Sequence, residues 1–301
     1  MRKSSLYLAV IWVFFACANI FGQSQSVIMT EPEYPELRDR LDFGYYPHPM
    51  IKQYINYYQG RGRAAMEFNL TRSGQLSAMI KQIFRQENVP ESLVVMSQYS
   101  NEFHSAGLWL IDARVAEKYG LRRTKFIDET RGFERATRAV AQYLKFLSEK
   151  YKGNWELAIA AYFTGERDVD RAVRRAGIKD FWIVYVYLPK YTRNFVPNVL
   201  ASAIIANHRE FFGFKNIQPD SPLAYDLVRL PPSISLDLIA QFSESNPENI
   251  KRLNPELIST VTPPQNYIVR LPSGKAYIFR ERLRRYTQDE KMRRNNKSAN
   301  R

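Results

Sequence analysis

The chain has one cysteine, Cys17, and three histidines, His48, His104 and His208. A single cysteine cannot close an intramolecular disulfide, and three scattered histidines do not give the ligand spacing of a zinc site. No metal and no cofactor are therefore expected, and neither an internal repeat nor a low-complexity tract is present. The one long apolar run, Leu6 to Ile20, is shorter than the roughly 20 residues a membrane-spanning helix needs. With Arg2 and Lys3 before it and Ala16, Ala18 and Gly22 near its end, it reads as a secretory leader over residues 1–22, a retained anchor being the alternative. Cys17 lies inside that leader, so the mature chain would have no thiol. Lipid attachment at Cys17 is the competing reading, and Phe14-Phe15-Ala16 is a poor match to the small and Leu-type residues such a site requires.

What the chain does have is apolar content and positive charge. Over 301 residues, 45% hydrophobic and 14% aromatic composition is enough for a substantial core. Its 44 Lys and Arg against 30 Asp and Glu give a formal charge of +14, and loss of Arg2 and Lys3 leaves +12. That balance favours an anionic polymer or surface, and for an exported chain this means the cell envelope and not nucleic acid. From Lys275 to Arg301 there are ten basic and three acidic residues, net +7. This stretch, 275–301, reads as a basic C-terminal helix or solvated tail and not as a dedicated binding arm.

After the leader, residues 23–45 are Pro-rich and acidic without periodicity and read as an extended linker. Helical spacing then takes over. Leu76, Met79, Ile80, Ile83 and Phe84 form one stripe, and Phe133, Ala136, Val140, Tyr143, Leu144 and Leu147 form another. Further helices are expected near Met50 to Tyr58, Pro90 to Asn101, Asp112 to Tyr119, Trp155 to Tyr162, Asp168 to Ala176 and Phe195 to Asn207, with GRGR and Pro189 among the breakers. No alternating strand interrupts residues 46–214, so this span is expected to be all-α. Residues 215–224 link it to a unit over 225–274, where YDLVRL and NYIVRL read as strands around the helices SLDLIAQF and ENIKRL. Such a βααβ unit of under about fifty residues is marginal alone, so docking against helices is expected.

Four segments now stand in a recognisable order: HPMIKQYINYYQGRGR, GLW followed by YGL, NWELAIAAYFTGE, and YLPKYTRNFVPNVLASAIIA. Together they resemble the D-type membrane-bound lytic murein transglycosylases, whose catalytic domain has the goose-type lysozyme fold. The likeness runs from about Tyr46 to Phe214, and the closing unit resembles a divergent LysM module. The fold class implied is mainly α: a lysozyme-like transglycosylase domain followed by a small βααβ LysM-like module. By this resemblance the partner is peptidoglycan, other envelope proteins are further candidates, and the membrane enters only with lipidation at Cys17. The implied location is the periplasm or cell envelope of a Gram-negative-type bacterium, with outer-membrane association as an option.

The resemblance also carries a chemical expectation. Family members cleave the glycan with one carboxyl group, which protonates the leaving oxygen and then, as a base, helps the sugar's own 6-hydroxyl close a 1,6-anhydro ring. That acid begins a Glu-Ser-Gly-Phe turn, and aligning the turn on its Phe places Ser100 at the acid and Glu102 at the Gly. A serine hydroxyl does not titrate near neutral pH and cannot serve as the general acid. Glu102 lies two residues on, about 200° around an α-helix, so it substitutes only if the helix end is altered. The loop before GLW is shortened to His104-Ser105-Ala106, and His104 reads as an exposed loop residue.

Other positions depart as well. Leu110-Ile111-Asp112 stands for the family's Gln-Phe-Met, and Tyr162-Phe163-Thr164-Gly165 for its Tyr-Asn-Ala-Gly. Tyr162 keeps the tyrosine that faces the reacting sugar in the family, and Trp109 and Trp155 match as well, each being a core residue or a sugar platform. In the module, Asn254 is the candidate donor to an N-acetyl carbonyl, with helix termination as the competing role. Asp128, Glu129 and Glu166 read as helix-terminal or ion-pair residues. The expectation is a peptidoglycan-binding envelope protein with a degenerate transglycosylase fold and little or no cleavage. The alternatives are an active enzyme using Glu102, and a protein-binding envelope scaffold.

Overall fold

The structure, a computed structural model, describes residues 41–42, 48–99 and 107–299. The expected leader, most of the linker, and the residues Ser100, Glu102 and His104 lie outside them. The chain divides into two compact units, one taking residues up to 101 and 140–221, the other 102–139 and 222–301.

In the first unit, α1 (Pro49–Gln59) starts with proline in its first turn and a His48 cap whose ring accepts from the Met50 amide. The next helix, α2 (Arg63–Ser73), was not legible in the sequence: GRGR was read as a break, and it is only the three-residue turn between two helices. Gly74 at its end has no substitute, because a Cβ there would lie 2.0 Å from the Asp220 carbonyl oxygen. The stripe of α3 (Ser77–Glu87) buries Ile80, Ile83 and Phe84, and a left-handed Asn88 ends the helix. A 3₁₀ helix follows over Glu91–Tyr99. Asn154 caps α6 (Trp155–Thr164), and α7 (Glu166–Ala176) and the short α8 (Phe181–Val184) come next. The central helix is α9 (Lys190–Asn207), which packs on α1, the Glu91–Tyr99 helix and α6. It begins five residues before the expected Phe195, because Pro189 occupies the N-cap, where its missing N–H costs nothing.

In the second unit, α4 (Ala113–Lys118) is capped by Asp112, and α5 (Glu134–Lys150) carries the chain back into the first unit. The expected βααβ order is present: β1 (Tyr225–Leu230), α10 (Leu236–Phe242), α11 (Pro247–Leu253) and β2 (Tyr267–Pro272). The strands are antiparallel, with Val228 opposite Val269 and Leu230 opposite Tyr267. Ser235 and Asn246 cap the two helices through their side chains.

This module does not make its core alone. Ile127, from the segment between α4 and α5, is buried in one cluster with Val228, Ile239, Ile250, Val269 and Phe279. The backbone follows, since Asp128 N–H donates to Glu256 O at 2.8 Å and Ile258 N–H to Phe126 O at 3.0 Å. A unit this small buries too little apolar surface by itself, and residues 107–139 supply the remainder. The basic C-terminus is a helix, α12 (Ala276–Ala299), anchored by the buried Phe279. Among the described residues, no helix is long and apolar enough to cross a membrane.

Candidate functional site

The Glu91–Tyr99 helix is the element that delivers the chain to Ser100. Its nine residues exceed the three or four usual for a 3₁₀ run, and its last residue is tightly held. The Tyr99 hydroxyl donates to Asn198, with Oδ1 and O each at 3.1 Å, and lies 2.7 Å from Ser202 Oγ. The Tyr58 hydroxyl donates to the same Asn198 Oδ1 at 2.6 Å. Burial pushes the Tyr99 hydroxyl well above its ordinary range, so it is a neutral hydrogen-bonding group. Among the described residues, none of the groups bonded to Tyr99 is a carboxylate.

Beside this helix end lies the C-terminus of α6, with Tyr162, Phe163, Thr164 and Gly165. The Phe163 ring lies parallel to that of Phe195, centroids 3.9 Å apart and planes 7° apart. Phe195 meets Tyr99 edge-on at 5.3 Å, and Phe163 meets Tyr191 edge-on at 5.9 Å. Thr164 Oγ1 lies 2.9 Å from the half-exposed Tyr191 hydroxyl. Tyr162 is half-buried, its ring tilted against Tyr143 at 6.5 Å. An aromatic group is thus assembled at Phe163, where the resemblance set out from the sequence implies an asparagine after the tyrosine. The sequence singled out Tyr162 and Phe163 but missed Tyr99, Tyr191 and Asn198. Asn198 did leave a signal, as the one amide in the apolar run FVPNVLASAII.

Two expected sugar contacts are committed elsewhere. Trp109 is 2% exposed, and its indole N–H donates to Thr137 Oγ1 at 2.9 Å, so the ring offers no face to a ligand. Asn254 is 0% exposed. Its Nδ2 donates to Ile250 O and Arg270 O, and its Oδ1 accepts from Arg270 N–H, all at 2.8 Å. The amide ends α11 and ties it to β2, which leaves nothing for an acetamido group. Trp155 is half-buried at the start of α6.

The acids matched to the family are structural. Asp128 caps the turn Glu129–Arg131, Glu129 pairs with Arg122 at 2.8 Å and Arg135 at 2.9 Å, and Glu166 pairs with Lys150 at 2.6 Å. Burial raises the Glu156 carboxyl on α6, helped by Asp180. It sits six residues before Tyr162, about 9 Å of helical rise away, too far along the axis to serve that tyrosine. Among the described residues, no three His, Cys, Asp or Glu side chains gather as a metal site would require.

The second unit also holds a buried ionic network around Arg270. Arg270 pairs with Glu256 at 2.7 Å and with Glu134, and its guanidinium lies 5.4 Å from the Phe133 ring centre and 5.5 Å from that of Tyr225. Burial alone would lower the Arg270 pKa, and the two carboxylates outweigh it and raise it. For Glu134, burial raises the carboxyl, and Arg270 and the Tyr225 hydroxyl more than reverse that. Arg270 thereby joins β2 to the start of α5.

Comparison with known proteins agrees with this architecture. Residues 65–185 match the family model described as transglycosylase SLT domain, and residues 224–288 that described as lytic transglycosylase MltD, LysM-like domain. The membrane-bound lytic murein transglycosylases D of Escherichia coli strains K12 and O6:H1 are each 26% identical to the chain over 182 residues. The alignment takes in 56% of this chain and spans 40% of the length of those relatives. The chain is therefore a homologue of the D-type lytic transglycosylases, a lysozyme-like transglycosylase SLT domain followed by an MltD-type LysM-like domain.

Proposed function

We propose that this protein is exported to the cell envelope, binds peptidoglycan, and cleaves it little or not at all. The observation that carries the reading is the aromatic edge at the end of α6, where the half-exposed Tyr191 meets the partly exposed Phe163, which is backed by the buried Phe195 at 3.9 Å. An apolar pair fills the position at which the related enzymes have an amide, and the half-exposed Tyr191 borders it. Sugar rings bind to aromatic faces through shape and apolar contact, whereas bond cleavage needs a proton donor that acts in the transition state. The two draw on different groups, so the first survives loss of the second. Ser100 stands where the acid belongs in the family, and the bonds of Tyr99 among the described residues go to the Asn198 amide and backbone and to the Ser202 hydroxyl.

The LysM-like module supports the same partner class, but with Asn254 withdrawn into its interior any glycan contact falls to other residues. Residues 1–22 support export, and the relatives' name, membrane-bound, fits an envelope location. The test is incubation with purified sacculi, followed by cosedimentation and by mass analysis of the released material. The proposal expects the protein in the pellet and no 1,6-anhydro-muropeptides. Protein left in the supernatant would make it a scaffold without a sugar site.

A further inference from the structure

A second surface of the first unit lies at the end of α7 and along α8. Over residues 178–187 four large apolar side chains stand in solvent: Ile178, Ile183, Val186 and Tyr187, between 42% and 62% exposed. Ile183 and Val186 are three apart on consecutive helical turns and so share a face. Tyr187 is joined to α7 by Arg175, whose guanidinium lies 5.2 Å from its ring centre. At the end of α7, Lys152, Val173, Arg174, Gly177, Ile178 and Lys179 line a shallow hollow of about 550 Å³. Apolar protrusion and a rim of cations are thus contiguous.

The cations of this surface outnumber the acids of the same stretch. From Arg171 to Lys190 there are five basic residues and one acid. The nearby carboxylates are engaged: Asp168 with Arg171, Glu166 and Asp170 with Lys150, and Asp180 as the cap of α8. Among the described residues, no carboxylate lies within ion-pair distance of Arg174, Arg175 or Lys179.

We propose that the α7–α8 surface docks on an anionic phospholipid membrane. Exposed aliphatic side chains gain nothing from a hydrated sugar chain, which presents hydroxyls and amides. They do gain from the boundary between headgroups and acyl chains, where Ile183 and Val186 would insert while Arg174, Arg175 and Lys179 meet lipid phosphates. Tyrosine is a side chain favoured at that depth, being apolar in body and polar at its tip.

The test uses the full chain carrying Cys17→Ser and Val186→Cys, labelled at the new thiol with an environment-sensitive fluorophore. A companion carries the label at Gln82→Cys, an exposed position on α3. With vesicles of equimolar phosphatidylglycerol and phosphatidylcholine, the Val186 probe should shift to the blue and the Gln82 probe should not. Pure phosphatidylcholine should give no shift. In the double variant Arg174→Gln/Arg175→Gln, half-maximal shift should need about 30-fold more lipid, from about a factor of five per cation at an anionic surface. The inference is overturned if the Val186 probe does not respond to anionic vesicles, responds equally to neutral ones, or shifts together with the Gln82 probe. It is also overturned if sacculi, and not vesicles, produce the shift, since the surface would then belong to the glycan.

Discussion

Replacing Asn254 with alanine separates a structural amide from a sugar ligand. The side chain makes three hydrogen bonds at 2.8 Å, and two of them go to the N–H and C=O of Arg270. Arg270 faces Leu227 across the two-stranded sheet. Because both of its backbone groups bond Asn254, they point away from β1, off the open edge of β2. Alanine leaves that edge without partners at a site where Asn254 is 0% exposed. At about 1 kcal/mol net per bond, with a further penalty for a donor left dry, the expected cost is about 3 kcal/mol. For a domain of this size that lowers the unfolding midpoint by about 10–20 °C. Scanning calorimetry reads the change directly, and Asn254→Asp, which keeps the acceptor and loses both donors, should also be destabilised. An unchanged midpoint together with lost binding to sacculi would instead make Asn254 a ligand contact.

Three further outcomes follow from the ionic groups. Arg270→Met leaves Glu134 and Glu256 facing each other without their cation, and should destabilise the second unit by about 3–5 kcal/mol in urea unfolding. The carboxyls of Glu129 and Glu134 lie below the usual range in the folded chain. Their contribution is therefore complete above about pH 4.5 and is lost as pH falls through the lower folded values. The thermal midpoint should drop steeply below that pH and less steeply in Glu129→Gln. His48, stacked on Trp182 at 3.7 Å, has its pKa lowered by burial from 6.5 to about 4. The folded state disfavours the charged ring, so stability is full above 6.5 and declines as pH falls toward 4. His48→Asn keeps a capping acceptor, and its urea midpoint should change less than that of the parent between those two values.

The elements legible in the sequence were those whose signals are local. Apolar spacing marked α3 and α5, and the expected starts of α6, α10 and α11 fall within a residue or two of the observed ones. Two glycines in GRGR hid α2, because a helix can end and restart across a three-residue turn without any longer break in pattern. The placement of residues 107–139 beside the LysM-like module was not legible either. Ile127 looks like any apolar residue until its partners, more than a hundred positions later in the chain, are known. Trp109 and Asn254 show the same limit at the candidate site. A family motif gives the residue type at a position, while burial and the direction of its polar atoms decide whether it faces a ligand. The tyrosine network at the end of the Glu91–Tyr99 helix was invisible because its members, Tyr58, Tyr99 and Asn198, come from three separate helices.

As proposed above, this fold holds cell-wall glycan without cutting it. Incubation of sacculi with the purified protein, followed by cosedimentation and mass analysis of the released material, is the decisive measurement. That proposal predicts that sacculi carry the protein to the pellet and release no 1,6-anhydro-muropeptides on prolonged incubation. Anhydro product formed by the unaltered chain and abolished by Glu102→Gln would contradict it.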